Sequence, residues 1–578
     1  MDLSINKSIF IPTSRKEMQY LGWEQPDVIL FSGDAFIDHP SFGTAVIARV
    51  LLDNGYKVAV IPQPNWRDDL RDFKKLGEPR LFFGVNAGVM DSMINHYTAN
   101  KRLRSNDAYT PGGESGRRPD YAVTIYSKIL KSIYPNTPII IGGVEASLRR
   151  FSHYDYWQNR VLPSILLDSG ADWLVYGMGE KPILELAFKI SSGESLEMIR
   201  RTNQIAYLSN KKNTFYSDPI VLNSHEESLK NNLAFAENFK IIETESNSWN
   251  PKHIIEPTGD YYVHVTPPYP QLTREEIDSI YDLPYTRKPH PRYVGKTIPA
   301  YEMIKFSINT HRGCFGSCSF CTISAHQGKF VQSRSEESIL KEAEKIVKMD
   351  NFKGYISDLG GPSANMYKMK GREQEICYSC KRDSCIFPNI CKNLDVSHLS
   401  LINLYTKVGE INGVKKVFIG SGIRYDLFLN KDGFIDASGK VYLEEVIKNH
   451  TSGWLKIAPE HTEEHVLKAM GKPSFKLFTI LKNEFDSIVK REGLKYKIVP
   501  YFISSHPGCR MEDMRALSQN PQLKNISLEQ VQDFTPTPMT RSSISFHTGI
   551  DPKTLKNIFV EKDPRMKIKQ KSFFFNKK

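Results

Sequence analysis

Near its middle the chain reads His311-Arg-Gly-Cys-Phe-Gly-Ser-Cys-Ser-Phe-Cys321, which contains the spacing CxxxCxxC with an aromatic residue before its last cysteine. Seven of the eight cysteines fall between Cys314 and Cys391. Three thiolates at this spacing suit a cubic iron–sulfur cluster whose fourth iron stays open to a substrate. The loop therefore predicts a redox enzyme.

Strand and helix patterns alternate on both sides of this loop. The strand-like runs around it are Lys305–Ile308, Gly354–Ser357, Lys416–Ile419, Trp454–Ile457 and Lys497–Phe502. The helical patterns between them are Ser335–Lys348, Leu443–Asn449 and Glu463–Met470. Strands separated by helices favour a parallel sheet.

The first part of the chain shows the same alternation. Its buried strand patterns are Asp27–Phe31, Lys57–Ile61, Arg80–Phe83, Pro138–Ile141 and Trp173–Tyr176, with helices over Thr44–Asn54 and Tyr121–Ile133. Continuous apolar runs are typical of strands buried on both faces. We expect an N-terminal doubly wound α/β domain.

Composition indicates a globular protein of several domains. The chain has 578 residues, of which 40% are hydrophobic and 25% are charged. Eight cysteines are too few for a disulfide scaffold and indicate a reducing compartment. No apolar run approaches the roughly 20 residues that span a bilayer, and the N-terminus lacks a secretory leader pattern. We expect a cytoplasmic protein without membrane association.

The predicted organisation has four parts. They are the doubly wound domain over residues 1–198, a connecting segment over 199–298, a core over 299–550 with a cysteine-rich insertion at 366–394, and a basic tail over 551–578. The formal charge of the chain is +12, and the tail alone holds nine Lys or Arg and three Asp or Glu. We interpret the tail as a solvated terminus, with RNA as an alternative partner.

Several motifs resemble those of YgiQ-type radical S-adenosylmethionine (SAM) proteins over nearly the whole chain. They are the loop His311–Cys321, Gly142-Gly-Val-Glu-Ala-Ser-Leu-Arg-Arg150, Asp358-Leu-Gly-Gly-Pro362, Ala364-Asn-Met-Tyr367 and Asp533-Phe-Thr-Pro-Thr-Pro-Met539. The resemblance implies that the core is a partial (β/α) TIM-like barrel. It also implies a [4Fe-4S] cluster on Cys314, Cys318 and Cys321, with SAM bound at the open iron and cleaved to a 5′-deoxyadenosyl radical.

The same resemblance implies the residues that hold SAM. Phe320 would shield the cluster and approach the adenine, Gly360 and Gly361 would meet the methionine amino group, and Glu460 would contact the ribose or the amino group. Ser421-Gly-Ile-Arg424 and Ser505-His-Pro-Gly-Cys509 resemble further loops at strand ends. We interpret these two as turns that carry polar residues.

The N-terminal domain resembles the cobalamin-binding domains that precede many radical SAM cores. The Asp-x-His-x-x-Gly motif of those domains is not reproduced, because Asp38 and His39 are adjacent and Gly43 lies four residues beyond the histidine. We therefore expect that cobalamin binding is unlikely.

A second group of cysteines follows in the insertion, as Cys377-Tyr-Ser-Cys380, Cys385 and Cys391. Four thiolates within fifteen residues can close around one metal centre. Their irregular spacing suits a second iron–sulfur cluster or a structural zinc ion, and both interpretations stay open.

Two other classes of protein remain as alternatives. One is a zinc-containing nucleic-acid-binding protein, in which His326 completes a Cys₃His site with the loop cysteines. The other is an iron–sulfur module for electron transfer or sensing. An enzyme of the radical SAM kind would also need a reducing partner of the flavodoxin or ferredoxin type. The sequence names neither the substrate nor a catalytic residue.

Overall fold

Buried runs of Val, Ile and Phe form the strands of the computed structural model, which describes residues 10–212, 214–524, 526 and 530–574. The chain divides into two compact units. The first unit contains the described residues of Met1–Asn238, Asn250–Pro270 and Ser279–Lys305, and the second contains those of Phe239–Trp249, Gln271–Asp278 and Phe306–Lys578.

The first unit is built on a sheet of nine strands. These are β1 (Val28–Ser32), β2 (Val58–Pro62), β3 (Phe82–Asn86), β4 (Ile139–Ile141), β5 (Trp173–Val175), β6 (Ile205–Ser209), β7 (Ile220–Val221), β8 (Ile254–Thr258) and β9 (Tyr261–Val265). They lie in the order β7-β8-β9-β6-β5-β4-β3-β1-β2. Strands β1 to β5 pair in parallel, which confirms the parallel α/β sheet that we predicted, and their order is the 2-1-3-4-5 of doubly wound folds.

Helices connect these strands where the periodicity predicted them. The predicted helices at residues 44–54 and 121–133 are Gly43–Asp53 and Ala122–Ile133. The other α-helices in or reaching into this unit are Arg15–Tyr20, Arg71–Lys74, Ser92–His96, Gly143–Ser147, Ile165–Ser169, Glu180–Ser191, Leu196–Ile199, His225–Lys230, Asn232–Ser246, Arg274–Asp282 and Pro299–Ile304. No helix among the described residues is long and apolar enough to cross a membrane.

The predicted connecting segment, residues 199–298, supplies four strands of this sheet. β6 pairs antiparallel with β5 and β9, and β8 pairs antiparallel with β9. These strands are two to five residues long, and β9 begins with the exposed Tyr261, so they show little of the periodicity that reveals a strand. The division of the chain at residues 198, 298 and 550 stays a prediction.

The second unit contains parallel strands with helices between them. The strands are β10 (Ser307–Asn309), β11 (Tyr355–Ile356), β12 (Asp358–Gly360), β13 (Lys416–Val417), β14 (Trp454–Glu460), β15 (Lys497–Ser504) and β16 (Gln530–Asp533). β10 pairs with β12, β11 with β13, and β15 with both β14 and β16, all in parallel. These pairs are what a partial barrel requires, and the detailed domain arrangement stays a prediction.

Helices of the second unit pack around these strands. They are Ile323–Gln327, Glu336–Val347, Gln374–Tyr378, Leu399–Gly409, Ala437–Glu445, Glu464–Met470, Phe475–Arg491, Met511–Gln519, Arg541–Thr548 and Pro564–Ser572. The predicted helix at residues 443–449 is placed differently, because the α-helix Ala437–Glu445 ends near its start and a short π-helix follows over Val446–His450.

The last described residues correct our interpretation of residues 551–578 as a solvated tail. Pro564–Ser572 is a helix in which Lys567 and Gln570 are buried. Gln570 Oε1 accepts a hydrogen bond from Ser505 Oγ at 2.9 Å. The sequence did not predict this helix because its buried side carries polar and charged residues instead of apolar ones. The final part of the tail, residues 575–578, lies outside the described residues.

Candidate functional site

The cysteine loop is fixed at its base and at its centre. A short antiparallel ladder pairs His311–Arg312 with Gln332–Ser333 and closes the base. Near the centre, the Ser319 N–H donates to the Met470 carbonyl at 2.9 Å. Met470 ends the helix Glu464–Met470, which follows β14. The loop therefore follows the carboxyl-terminal end of β10 and contacts the last residue of the helix that comes after β14.

The structure brings the three loop thiols, Cys314, Cys318 and Cys321, together. Burial raises the pKa of Cys321 to about 12, with smaller contributions from the neighbouring Cys318 and Cys314. Arg424 Nη1 donates to Cys318 Sγ at 3.2 Å, and Cys314 Sγ lies 3.7 Å from Ser363 Oγ. The thiols thus lie within electrostatic reach of one another, and their role as ligands stays a prediction.

The chemistry of the loop thiols fits an iron–sulfur cluster. Burial raises the pKa of the Cys314 and Cys321 thiols, and bound iron would hold such thiols as thiolates. Among the described residues, no three Cys, His, Asp or Glu side chains are arranged to hold a single metal ion. In a four-iron cluster each thiolate binds a different iron, so the sulfur atoms need not converge on one ion.

Four charged side chains form two ion pairs near the loop thiols. Arg424 donates from Nε and Nη2 to the Asp426 carboxylate at 3.0 and 2.5 Å. Burial opposes ionisation of Asp426, but Arg424 holds its pKa below the usual value and Lys472 contributes in the same direction. Lys472 Nζ lies 3.4 Å from Glu460 Oε1. The predicted SAM residue Glu460 therefore belongs to a buried network of alternating charge.

The backbone is strained at three positions around this network. Ser317, Glu460 and Ser505 have φ values of +50°, +69° and +59°. Ser317 lies in the cysteine loop, Glu460 ends β14, and Ser505 follows β15. Non-glycine residues in this conformation cost about 1–3 kcal/mol each and concentrate at functional sites.

The predicted glycine pair ends and follows β12. A Cβ atom on Gly361 would overlap the imidazole of His311, so only glycine lets this backbone pack on the ring. The carboxylate of the nearby Asp358 accepts from the Ser421 N–H at 3.2 Å and from Ser421 Oγ at 2.5 Å, which ties β12 to the loop after β13. Contact of Gly360 and Gly361 with SAM stays a prediction.

Phe320 packs against a histidine that anchors the cysteine loop. The rings of Phe320 and His506 meet edge to face with their centroids 6.0 Å apart. His506 Nε2 lies 2.7 Å from Ser542 Oγ and 3.3 Å from Ser319 Oγ. Burial lowers the pKa of His506 to about 3, so the ring is neutral at physiological pH. We predicted only a polar turn here, and the sequence gives no sign of the contact with Ser542.

Comparisons with known proteins identify the family of the chain. The model of the family described as Radical SAM N-terminal matches residues 10–307. A UPF0313 protein of Bacteroides thetaiotaomicron is 55% identical over 580 residues, which cover 98% of this chain and 94% of the relative. A UPF0313 protein of Porphyromonas gingivalis is 52% identical over 574 residues, which cover 98% and 90%. The chain belongs to the radical SAM superfamily.

A solved radical SAM structure shares the fold and corrects one prediction. The methyltransferase TsrM from Kitasatospora setae, with cobalamin and a [4Fe-4S] cluster bound, matches with a TM-score of 0.52 and 15% identity, covering 90% of this chain and 78% of that one. Our prediction that cobalamin is unlikely is therefore wrong. It rested on the altered spacing at Asp38 and His39, whereas the fold itself occurs in a protein that holds cobalamin.

Proposed function

We propose that this protein is a radical SAM enzyme whose loop thiols bind a [4Fe-4S] cluster and whose open iron takes SAM. The placement of the half-buried Cys314, Cys318 and Cys321 in one loop after the end of β10 supports this proposal most strongly. When bound and reduced, the cluster supplies the electron that cleaves SAM to a 5′-deoxyadenosyl radical. The radical acts on a substrate that we leave unassigned.

Arg424, His506 and Ser542 are the residues that would orient the cluster thiolates. A guanidinium that donates to Cys318 Sγ stabilises negative charge on this sulfur, and Asp426 fixes the guanidinium plane through two hydrogen bonds. His506 and Ser542 hold Ser319, which lies between two of the cysteines. These contacts set the loop geometry before any ligand arrives.

Glu460 and Phe320 are the residues we assign to SAM. Glu460 is 8% exposed, and its strained backbone and its pairing with Lys472 fix the direction of the carboxylate. A fixed carboxylate of this kind suits an ammonium or a ribose hydroxyl. Phe320 offers an apolar face next to the last cysteine, which suits an adenine ring.

The test is anaerobic reconstitution with iron and sulfide, followed by incubation with SAM and dithionite. We expect release of 5′-deoxyadenosine by the wild type and none by Cys318→Ala. The matched control is Cys509→Ala, because Cys509 is buried and interacts with His461 instead of the loop thiols. Iron-loaded protein that leaves SAM intact in all reductants would contradict the proposal.

Two further arms of the same assay address the cofactor and the substrate. One adds cobalamin, because the fold is shared with a cobalamin-bound enzyme. The other adds cell RNA or a metabolite extract, because the chain carries a net charge of +12 and RNA is the polyanion that we propose first. A rise in SAM cleavage with one addition identifies the class of the missing component.

A further inference from the structure

The cysteine-rich insertion forms a second group of thiols, which we call the insertion thiols: Cys377, Cys380, Cys385 and Cys391. Two backbone hydrogen bonds fold this segment on itself, from the Cys380 N–H to the Cys377 carbonyl at 3.2 Å and from the Cys391 N–H to the Cys385 carbonyl at 2.7 Å. Burial raises the pKa of Cys385 to about 11, Lys329 opposes this, and the other three insertion thiols add to it. Asn393, two residues beyond Cys391, contacts Cys377 Sγ, so the two ends of the segment lie side by side.

Two neighbouring residues, Gly371 and Asn393, contact the Cys377 sulfur. A Cβ atom on Gly371 would lie 2.5 Å from Cys377 Sγ, so a glycine is needed where the backbone meets the thiol. Asn393 Nδ2 donates to the same sulfur at 3.6 Å and to the Glu373 carbonyl at 2.8 Å. Amide donors to a ligand sulfur are a common feature of iron–sulfur sites.

The insertion is attached directly to the loop that carries Cys314. The Cys385 N–H donates to the Phe315 carbonyl at 3.1 Å. Ser384 Oγ donates to the Phe315 and Gly316 carbonyls at 3.0 and 2.9 Å. Cys314, Cys385 and Cys391 also pack against one apolar cluster. A path of covalent bonds and one hydrogen bond thus joins Cys314 to Cys385 through the backbone of Phe315.

We propose that the insertion thiols bind a second iron–sulfur cluster, which passes single electrons to the cluster on the loop thiols. This proposal rests on the proposed function. A low-potential one-electron donor protein is oxidised, the second cluster is reduced by one electron, and that electron then moves to the first cluster. No proton or covalent bond is exchanged. Tunnelling between the centres uses the short path through Phe315.

The surface around the insertion indicates where the donor protein binds. Lys370, Arg372, Lys381 and Lys392 are exposed within this segment. Exposed cations outnumber the exposed Glu373 and Glu375 of the same segment, and such an excess of positive charge attracts an acidic partner and increases its rate of association. We infer that an acidic one-electron carrier docks at the insertion and delivers its electron there.

The first measurement is metal content after anaerobic reconstitution, because it needs no activity. We expect about eight irons per wild-type chain if the second cluster is [4Fe-4S] and about six if it is [2Fe-2S], and correspondingly about four or two in a variant with all three loop thiols changed to Ala. A variant with the four insertion thiols changed to Ala should also hold about four. Cys509→Ala should keep the wild-type content, because this thiol belongs to neither group.

The outcomes separate the two proposals. Zinc or no metal in the variant without loop thiols would overturn the proposal of a second cluster. Because this variant keeps all four insertion thiols, the result would not reflect a change in the insertion itself. If instead the loop thiols bind no cluster, so that the proposed function fails, the same variant should hold as much iron as the wild type. The electron path is tested by the rate at which an acidic flavodoxin reduces the first cluster. We expect at least a tenfold slower reduction when the insertion thiols are absent, and an unchanged rate would overturn the relay.

Discussion

At the scale of single residues, Arg424 connects the Cys318 thiol to the buried Asp426 carboxylate, and we expect it to affect both protein stability and the redox potential of the proposed cluster. Arg424→Met removes the donor to Cys318 Sγ and leaves Asp426 buried without its partner. Breaking such a pair costs about 3–5 kcal/mol, so thermal unfolding should begin at a lower temperature. The potential of the reconstituted cluster should become more negative, because a positive charge next to a ligand sulfur favours the reduced state. Arg424→Lys keeps the charge and should shift the potential less. Equal potentials in a redox titration of all three proteins would contradict this role.

At the scale of elements, the C-terminal helix Pro564–Ser572 supports the loop after β15. Gln570 is fully buried, accepts from Ser505 Oγ, and lies 3.9 Å through Oε1 from Cys509 Sγ. Gln570→Ala leaves a buried hydroxyl without its acceptor, and we expect it to cost about 1–3 kcal/mol. Lys569→Ala on the exposed side of the same helix should change stability by less than about 0.5 kcal/mol. Urea unfolding midpoints compare the two, and reactivity of Cys509 with a thiol reagent should rise only in Gln570→Ala. Identical midpoints would show that the helix does not support this loop.

At the scale of the whole molecule, the net charge of +12 and the exposed cations of the insertion predict recognition of an acidic donor. Reduction by an acidic flavodoxin should slow strongly with added salt, since the screening length is about 10 Å at 0.1 M ionic strength. Lys381→Glu combined with Lys392→Glu should produce the same slowing at low salt. Lys345→Glu, on an exposed position of the helix Glu336–Val347, is the matched control and should not. If the stopped-flow reduction rate changes neither with salt nor with the double substitution, this docking surface is excluded.

The sequence could predict those parts of the fold and the site whose residues are contiguous. Each of these features lies within a short stretch of sequence: the cysteine spacing, the apolar strands β1 to β3 and the helix Glu464–Met470. The pairing of Lys472 with Glu460 was not predicted, because it depends on how the chain returns after β14. The attachment of Cys385 to Phe315 was hidden for the same reason, since about seventy residues separate them. Short strands such as β7 carry too few residues to show a period.

The left-handed backbones of Ser317, Glu460 and Ser505 bear on how this protein responds to selection and engineering. Glycine adopts this conformation freely, so exchanging any of the three for glycine would relax the backbone while removing a side chain, such as the Glu460 carboxylate that we assign to SAM. Glycine at these positions should therefore raise thermal stability and lower the rate of turnover. Variant libraries that are screened only for thermal stability should accumulate glycine at these positions and lose enzymatic activity as they do so.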